Sequence, residues 1–234
     1  MSSVAFTTVY NDMVILEFWC KYYSRYFDEL VVLCYGTKEI YNDKLAEFGE
    51  KYRLRTVRFE VIEQEPIVAT RTIREKQCEL LENHEWVLRA DCDEIVATRP
   101  DKYKDLKDFM EKCKKDWVWS VAYEILQEDD EPWLDYSKPI LRQRRSWLKN
   151  PAMNKVLISR VPLSWNDGQH QIEETKNIPI TTMKNYGLYL LHFKHADYGA
   201  PNRDLVPNLR PKFVYVEENW EHRGPIPEEL RDLL

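Results

Sequence analysis

Asp91 and Asp93 stand two residues apart at the end of the apolar run Trp86-Val87-Leu88-Arg89-Ala90, and Glu94 follows at once. Side chains two apart on a strand share a face, so this spacing predicts both carboxylates on one side of a strand end. Two carboxylates held that close repel unless a cation or a cluster of donors sits between them. Oxygen ligands so arranged suit Mg²⁺ or Mn²⁺, ions that keep some water and accept phosphate oxygens. The plain alternative is that one aspartate caps the next helix and the other is solvated. His192, inside Leu190-Leu191-His192-Phe193, is the natural third ligand, with His195 as substitute if the register differs. Taken singly, a buried histidine is more often a hydrogen-bonded core residue.

Other groups have the chemistry to serve the same place. Arg71 and Arg74 lie three apart on one side of a predicted helix, where they would reach phosphate or the aspartates; ordinary surface arginines would look the same. Lys155 and Lys194 are further phosphate-neutralising candidates, although isolated lysines are usually solvated. The polar turn Trp165-Asn166-Asp167-Gly168-Gln169-His170 offers Asp167 and His170 as general bases or sugar contacts. Arg142, Arg144 and Arg145 near Trp147 read as a solvated basic face or a contact for an acidic acceptor.

Composition narrows the class. A chain of 234 residues can bury a sizeable core. Its formal net charge of −6 argues against a general nucleic-acid binder, which carries a basic field. Cys20, Cys34, Cys78, Cys92 and Cys113 are scattered through apolar runs without a Cys-x-x-Cys pair, so they read as core thiols of a reducing compartment. No apolar stretch approaches the ~18 residues of a membrane span or resembles a signal peptide, and a cytoplasmic location is expected.

The elements that must position these side chains follow from hydrophobic period. Strands are expected at 4–10, 29–35, 56–62, 86–96, 118–126 and 188–193, with a shorter piece at 156–159. Helices are expected after the first strand (Leu16, Trp19, Cys20, Tyr23, Phe27), over 41–52, over 66–83 behind Pro66, and around Leu106, Phe109, Met110 and Cys113. Strand–helix alternation up to Leu126 predicts an α/β fold with an open, mostly parallel twisted sheet flanked by helices. After Glu128 prolines break the rhythm into an irregular half. A single domain with two functional halves, residues 1–127 and residues 128–234 with the tail, is expected. In open sheets ligands sit beyond the carboxyl ends of strands. The crevice would then be lined by Thr8, Tyr10, Tyr35, Gly36, Glu63 and Asp91-Cys92-Asp93.

The pattern resembles the GT-A glycosyltransferases, particularly the family-2-like group. The resemblance rests on Thr7-Thr8-Val9-Tyr10-Asn11-Asp12, on Glu17-Phe18-Trp19, on the run from Trp86 to Glu94, and on Leu190-Leu191-His192-Phe193. It spans about residues 4–195 and is strongest in the first half. It implies a nucleoside-diphosphate-sugar donor, UDP-linked first of all, with Mn²⁺ or Mg²⁺ bridging Asp91 and Asp93 to the diphosphate. It also implies a metal or phosphate contact at His192 and a glycan or glycoprotein acceptor in the second half; Thr8, Tyr10, Arg71, Arg74, Cys92, Lys155 and Lys194 are the expected donor contacts. Family-2-like members mostly invert through a carboxylate base; Asp167, Glu124 and Asp135 stay open for that role.

Cleaving a sugar–phosphate bond builds charge on the departing diphosphate, which a cation and arginines would stabilise while a base takes the acceptor proton. Two rivals use the same residues: a nucleotidyl- or phosphoryl-transfer enzyme, and a silent sugar-nucleotide or glycan-binding module.

Overall fold

A computed structural model describes residues 2–35, 37–59, 66–166, 170–179, 186–194, 196 and 223–231. Gly36, Glu63, Asp167, Gly168, Gln169, His195 and the tail at 197–222 lie outside the described residues.

The expected alternation forms. It runs β1 (Ser3–Val9), α1 (Met13–Tyr23), β2 (Glu29–Tyr35), α2 (Asn42–Tyr52), β3 (Leu54–Phe59), α3 (Pro66–Leu81) and β4 (Trp86–Arg89). Then come β5 (Glu94–Thr98), α4 (Leu106–Lys112), β6 (Trp117–Leu126), β7 (Ser146–Lys149), β8 (Lys155–Ser159), β9 (Leu188–His192) and β10 (Arg223–Pro225). Alternate residues of β1 serve opposite layers. Ala5 and Val9 join the core under α1 and α2, whereas Val4 and Phe6 pack with Ile73 and Leu80 of α3 and with Trp165. The result is a sheet with helices on both faces.

Strands β3-β2-β1-β4 are parallel, as the alternation predicts. The second half adds a different kind of pairing: β8 runs antiparallel to both β4 and β6, and β7 and β10 continue antiparallel beyond β6. One sheet therefore passes through both halves of the chain. The segment β9 lies between β5 and β6, antiparallel to the first and parallel to the second.

Residues 86–96, expected as one strand, form two strands with a turn between them. The N–H of Glu94 donates to the Asp91 carbonyl at 2.9 Å, and the Glu94 carboxylate accepts the Asp91 N–H at 3.1 Å. Polar side chains that satisfy nearby backbone in this way compete with a strand ladder. Asp91 and Asp93 therefore sit on a tight turn, not on one face of a continuous strand.

Helix α1 holds the strand that leaves this turn. Asp12 caps it, accepting the Ile15 N–H at 3.1 Å, and Leu16, Trp19, Cys20 and Tyr23 are fully buried. Among the described strands β5 pairs with β9 alone, so its other edge needs partners. Two tyrosines supply them: Tyr22 donates to Val96 O at 2.9 Å, and Tyr23 Oη accepts the Val96 N–H at 2.7 Å. On the far side Gly187, at φ +107°, enters β9 where a Cβ would lie 2.7 Å from the Tyr103 ring, and only glycine fits. No helix among the described residues is long and apolar enough to cross a membrane.

Candidate functional site

The connections β1–β2–β3 lead to one side of β1 and β4 lies on the other. In open α/β sheets the ligand crevice lies where strand order diverges in this way, which here is beyond the carboxyl ends of β1 and β4. Thr8 and Tyr10 are half-buried at the end of β1, and the Ala90 N–H still bonds Phe6 O at 3.2 Å, which delivers the 91–94 turn beside them.

Two sets of charges hold that turn. On the Asp91 side, Arg89 is buried in β4 and donates from Nη2 to Asp91 Oδ1 at 2.5 Å; its Nη1 lies 4.0 Å from Glu94 Oε2. Antiparallel β8 brings its first residue alongside: Lys155 Nζ is 2.6 Å from Glu94 Oε1 and 3.4 Å from Asp91 Oδ2. Burial raises the Asp91 pKa, but the Arg89 guanidinium and the Lys155 ammonium outweigh it and hold the carboxyl well below its usual range. Burial opposes the Lys155 charge too, and Glu94 and Asp91 more than restore it.

On the Asp93 side the register does the work. His192 is the pairing partner of Glu94 across β5–β9 and of Glu124 across β9–β6, so an imidazole lies in a row between two carboxylates. Its Nδ1 is 2.8 Å from Glu124 Oε2 and its Nε2 is 3.5 Å from Asp93 Oδ2. Burial disfavours the imidazolium, yet Glu124 and Asp93 carry the His192 pKa well above its ordinary value. The backbone closes the same contact, with Phe193 N–H bonding Asp93 O at 2.8 Å.

His170 lies near the Trp165↔Ile172 bridge, within electrostatic range of the cluster. Burial and the nearby Lys155 hold its pKa down to about 4, with Asp91, His192 and Arg89 also in electrostatic range. Its Nδ1 is buried without a hydrogen-bond partner among the described residues. Cys92 is half-buried on the turn, and Lys194 is half-buried one residue past Phe193.

Several expected roles shift. The Lys155 ammonium is buried against Glu94 and Asp91, so it compensates carboxylates and is not a free phosphate contact. Arg71 is exposed beside Glu75, 3.9 Å away, as a surface pair, while Arg74 is half-buried with Nε unpartnered among the described residues. Glu124 is buried against His192 and Asn150, which withdraws it from proton transfer to an acceptor. Asp135 is engaged by Ser137 and Lys138, which pull its pKa down to about 2. Arg144 is fully buried, and Arg145 pairs with Asp130 and Glu131, so the basic run is not one solvated face. Arg89 was not among the expected site residues; its signal was an arginine inside an otherwise apolar strand.

Donor chemistry decides whether Mg²⁺ or Mn²⁺ fits. Two neighbouring ligands at about 2.1 Å from an octahedral ion lie about 3 Å apart. The 3.5 Å between Asp93 Oδ2 and His192 Nε2 is close to that, and Nδ1 faces a carboxylate, as in metal-bound histidines. No group of three or more His, Cys, Asp or Glu side chains among the described residues is arranged to hold a metal ion. Asp93 and His192 would supply two ligands, with His192 Nε2 deprotonated, and water and phosphate would supply the rest.

No protein-family model matches the chain, and no curated protein matches it in sequence. Among solved structures it is similar to S. aureus TarS 1–349, with 14% identity over 68% of this chain and 47% of that one and a TM-score of 0.38. TarS 1–349 in complex with UDP gives 14% identity over 77% and 53%, with a TM-score of 0.37. A 4-diphosphocytidyl-2C-methyl-D-erythritol synthase gives 13% identity over 92% and 96%, with a TM-score of 0.40. The chain spans about half the length of the TarS 1–349 chains it matches.

Proposed function

We propose that this chain is a GT-A-like glycosyltransferase that takes a sugar from a nucleoside-diphosphate-sugar, UDP-linked first of all, and passes it to a hydroxyl of a glycan or glycoprotein with inversion. The observation that carries the reading is the acidic turn at the carboxyl ends of β1 and β4, with Asp93 facing the imidazole of His192. Thr8, Tyr10 and Cys92 would line the nucleotide side of the crevice, with Arg74 and Lys194 as the remaining candidates for phosphate.

Asp93 and His192 would hold Mn²⁺ or Mg²⁺, with Asp91 fixed beside them on the turn by Arg89 and Lys155. When bound, such an ion neutralises charge on the departing diphosphate. His170 would take the acceptor proton as the hydroxyl oxygen attacks the anomeric carbon and the bond to phosphate breaks. Its depressed pKa keeps the imidazole neutral at neutral pH but lowers its basicity, since a general base works best with a pKa near the operating pH. Asp167, on the same loop but outside the described residues, is the alternative base.

The test is to incubate the chain with UDP-, GDP- and ADP-sugars, with and without Mn²⁺, following melting temperature and products. Stabilisation by one nucleotide family with nucleoside diphosphate release supports the reading, since a ligand that binds only the folded state raises the Tm. Pyrophosphate release would point to nucleotidyl transfer instead, and no shift and no turnover with any donor would sink the proposal. With an active donor, His170→Gln is expected to lower kcat about 10²–10⁴-fold, the usual contribution of a positioned base.

A further inference from the structure

Glu124 is buried on β6 beside β9, and its carboxylate bridges two donors. Oε2 meets His192 Nδ1 at 2.8 Å and Oε1 takes the Asn150 Nδ2 hydrogen at 3.0 Å. Asn150 is itself buried and fixed by its own N–H to Ala122 O at 3.0 Å, on the same strand. An ionised carboxylate only accepts hydrogen bonds, so His192 Nδ1 must carry a hydrogen. The ring's half-turn alternative would remove that donor from Glu124 and leave a buried charge poorly met, a costly state. The surviving orientation aims Nε2 at Asp93.

We infer that Glu124, oriented by Asn150, is the positioning residue of the Asp93–His192 pair: it sets which imidazole nitrogen faces the acidic turn. The inference deepens the proposed glycosyltransferase reading and rests on it for its consequence, but the orientation of His192 can be read in the absence of donor or metal. Asn150 Oδ1 has no hydrogen-bond partner among the described residues. In Glu124→Gln the Asn150 amide can turn over to accept from the new Gln amide, while the Gln oxygen still accepts from Nδ1–H. Glu124→Leu keeps the bulk and removes both bonds.

The test uses the full chain with ¹⁵N-labelled histidine. The wild type is expected to show an exchange-protected imidazole N–H resonance, assigned by its loss in His192→Asn. Glu124→Leu should lose it, and Mn²⁺ titrated into the UDP-containing protein should bind about 10–100-fold more weakly, the usual cost of removing such a partner. Glu124→Gln should keep the resonance and most of the Mn²⁺ affinity. A resonance that survives Glu124→Leu overturns the inference, as does Glu124→Gln failing as badly as Glu124→Leu, because charge and not position would then matter. A wild type that takes up no Mn²⁺ while the resonance still depends on Glu124 removes the metal from the proposed function and leaves the positioning role standing. If Glu124→Leu does not fold, the Gln variant and Asn150→Ala decide: a weakened resonance in Asn150→Ala with a retained one in Glu124→Gln supports the inference, and no change in Asn150→Ala overturns it.

Discussion

The two aspartates of the turn are alike in sequence and opposite in surroundings. Asp91 faces the cations of two strands, Arg89 and Lys155, and is held well below the normal carboxylate range. Asp93 faces an imidazole 3.5 Å away, itself backed by Glu124. One side is an ion-pair cluster shared with the buried Glu94; the other ends on a nitrogen whose far side is fixed and whose near side meets the turn. The difference teaches that the Asp91 flank ties the turn to β4 and β8 through cations, while the Asp93 flank ties it to β9 through an imidazole.

That division can be broken from either side. The largest effect is expected from Asp93→Ala, which should abolish metal-dependent transfer while shifting the melting temperature little; undiminished transfer by this variant would remove the central claim. On the other flank, Lys155→Met leaves Glu94 and Asp91 without their ammonium. Removing one partner of a buried pair costs about 3–5 kcal/mol. At roughly 2–4 °C per kcal/mol for a chain of this size, the melting temperature should fall by about 6–20 °C. The double variant Lys155→Met/Glu94→Gln should recover part of the loss, and calorimetry of both variants checks it. If Lys155→Met melts like the wild type, the ion-pair-cluster account of Asp91 fails.

A smaller effect separates the turn from its scaffold. Tyr23→Phe removes the acceptor for the buried Val96 N–H, a loss of about 1–3 kcal/mol. Hydrogen exchange at Val96 should accelerate in this variant, and unchanged protection there would mean that α1 does not anchor β5.

The smallest effect is a slope in pH. His170 is depressed to about 4, below the ordinary 6.5. Between those values the unfolded chain binds a proton that the folded chain refuses, so stability falls as pH drops from 6.5 towards 4. Asp91 acts lower, its contribution present above the ordinary carboxylate range and lost only as pH falls through its depressed pKa. His192 has the opposite sign: its contribution is complete below 6.5 and is lost as pH rises through its raised pKa. His170→Gln should flatten the melting temperature between pH 6.5 and 4 relative to the wild type; parallel curves would contradict the buried placement of His170.

Much of the architecture was legible in the chain. Apolar period sufficed for β1, α1, β2, α2, α4 and β6, because strands and helices that bury one face show it in sequence. Pro66 marked the start of α3, and the position of Asp91 and Asp93 at a strand end was visible in the apolar run before them. The turn between the aspartates was not, because Glu94 reads as a third member of an acidic cluster until its carboxylate is seen bonding the Asp91 N–H. The antiparallel insertion of β8 was equally hidden, since a fully buried five-residue strand carries no mark of its direction.

Sequence alone determined that two carboxylates, a late imidazole and a polar loop were available, and that an α/β sheet would carry them. Only the tertiary structure decided their partners. Register across β5, β9 and β6 makes His192 the neighbour of both Glu94 and Glu124, and the direction of β8 puts Lys155 beside Asp91. These pairs are separated by tens of residues in the chain, and their meeting depends on strand order and register, which the folded sheet settles as a whole.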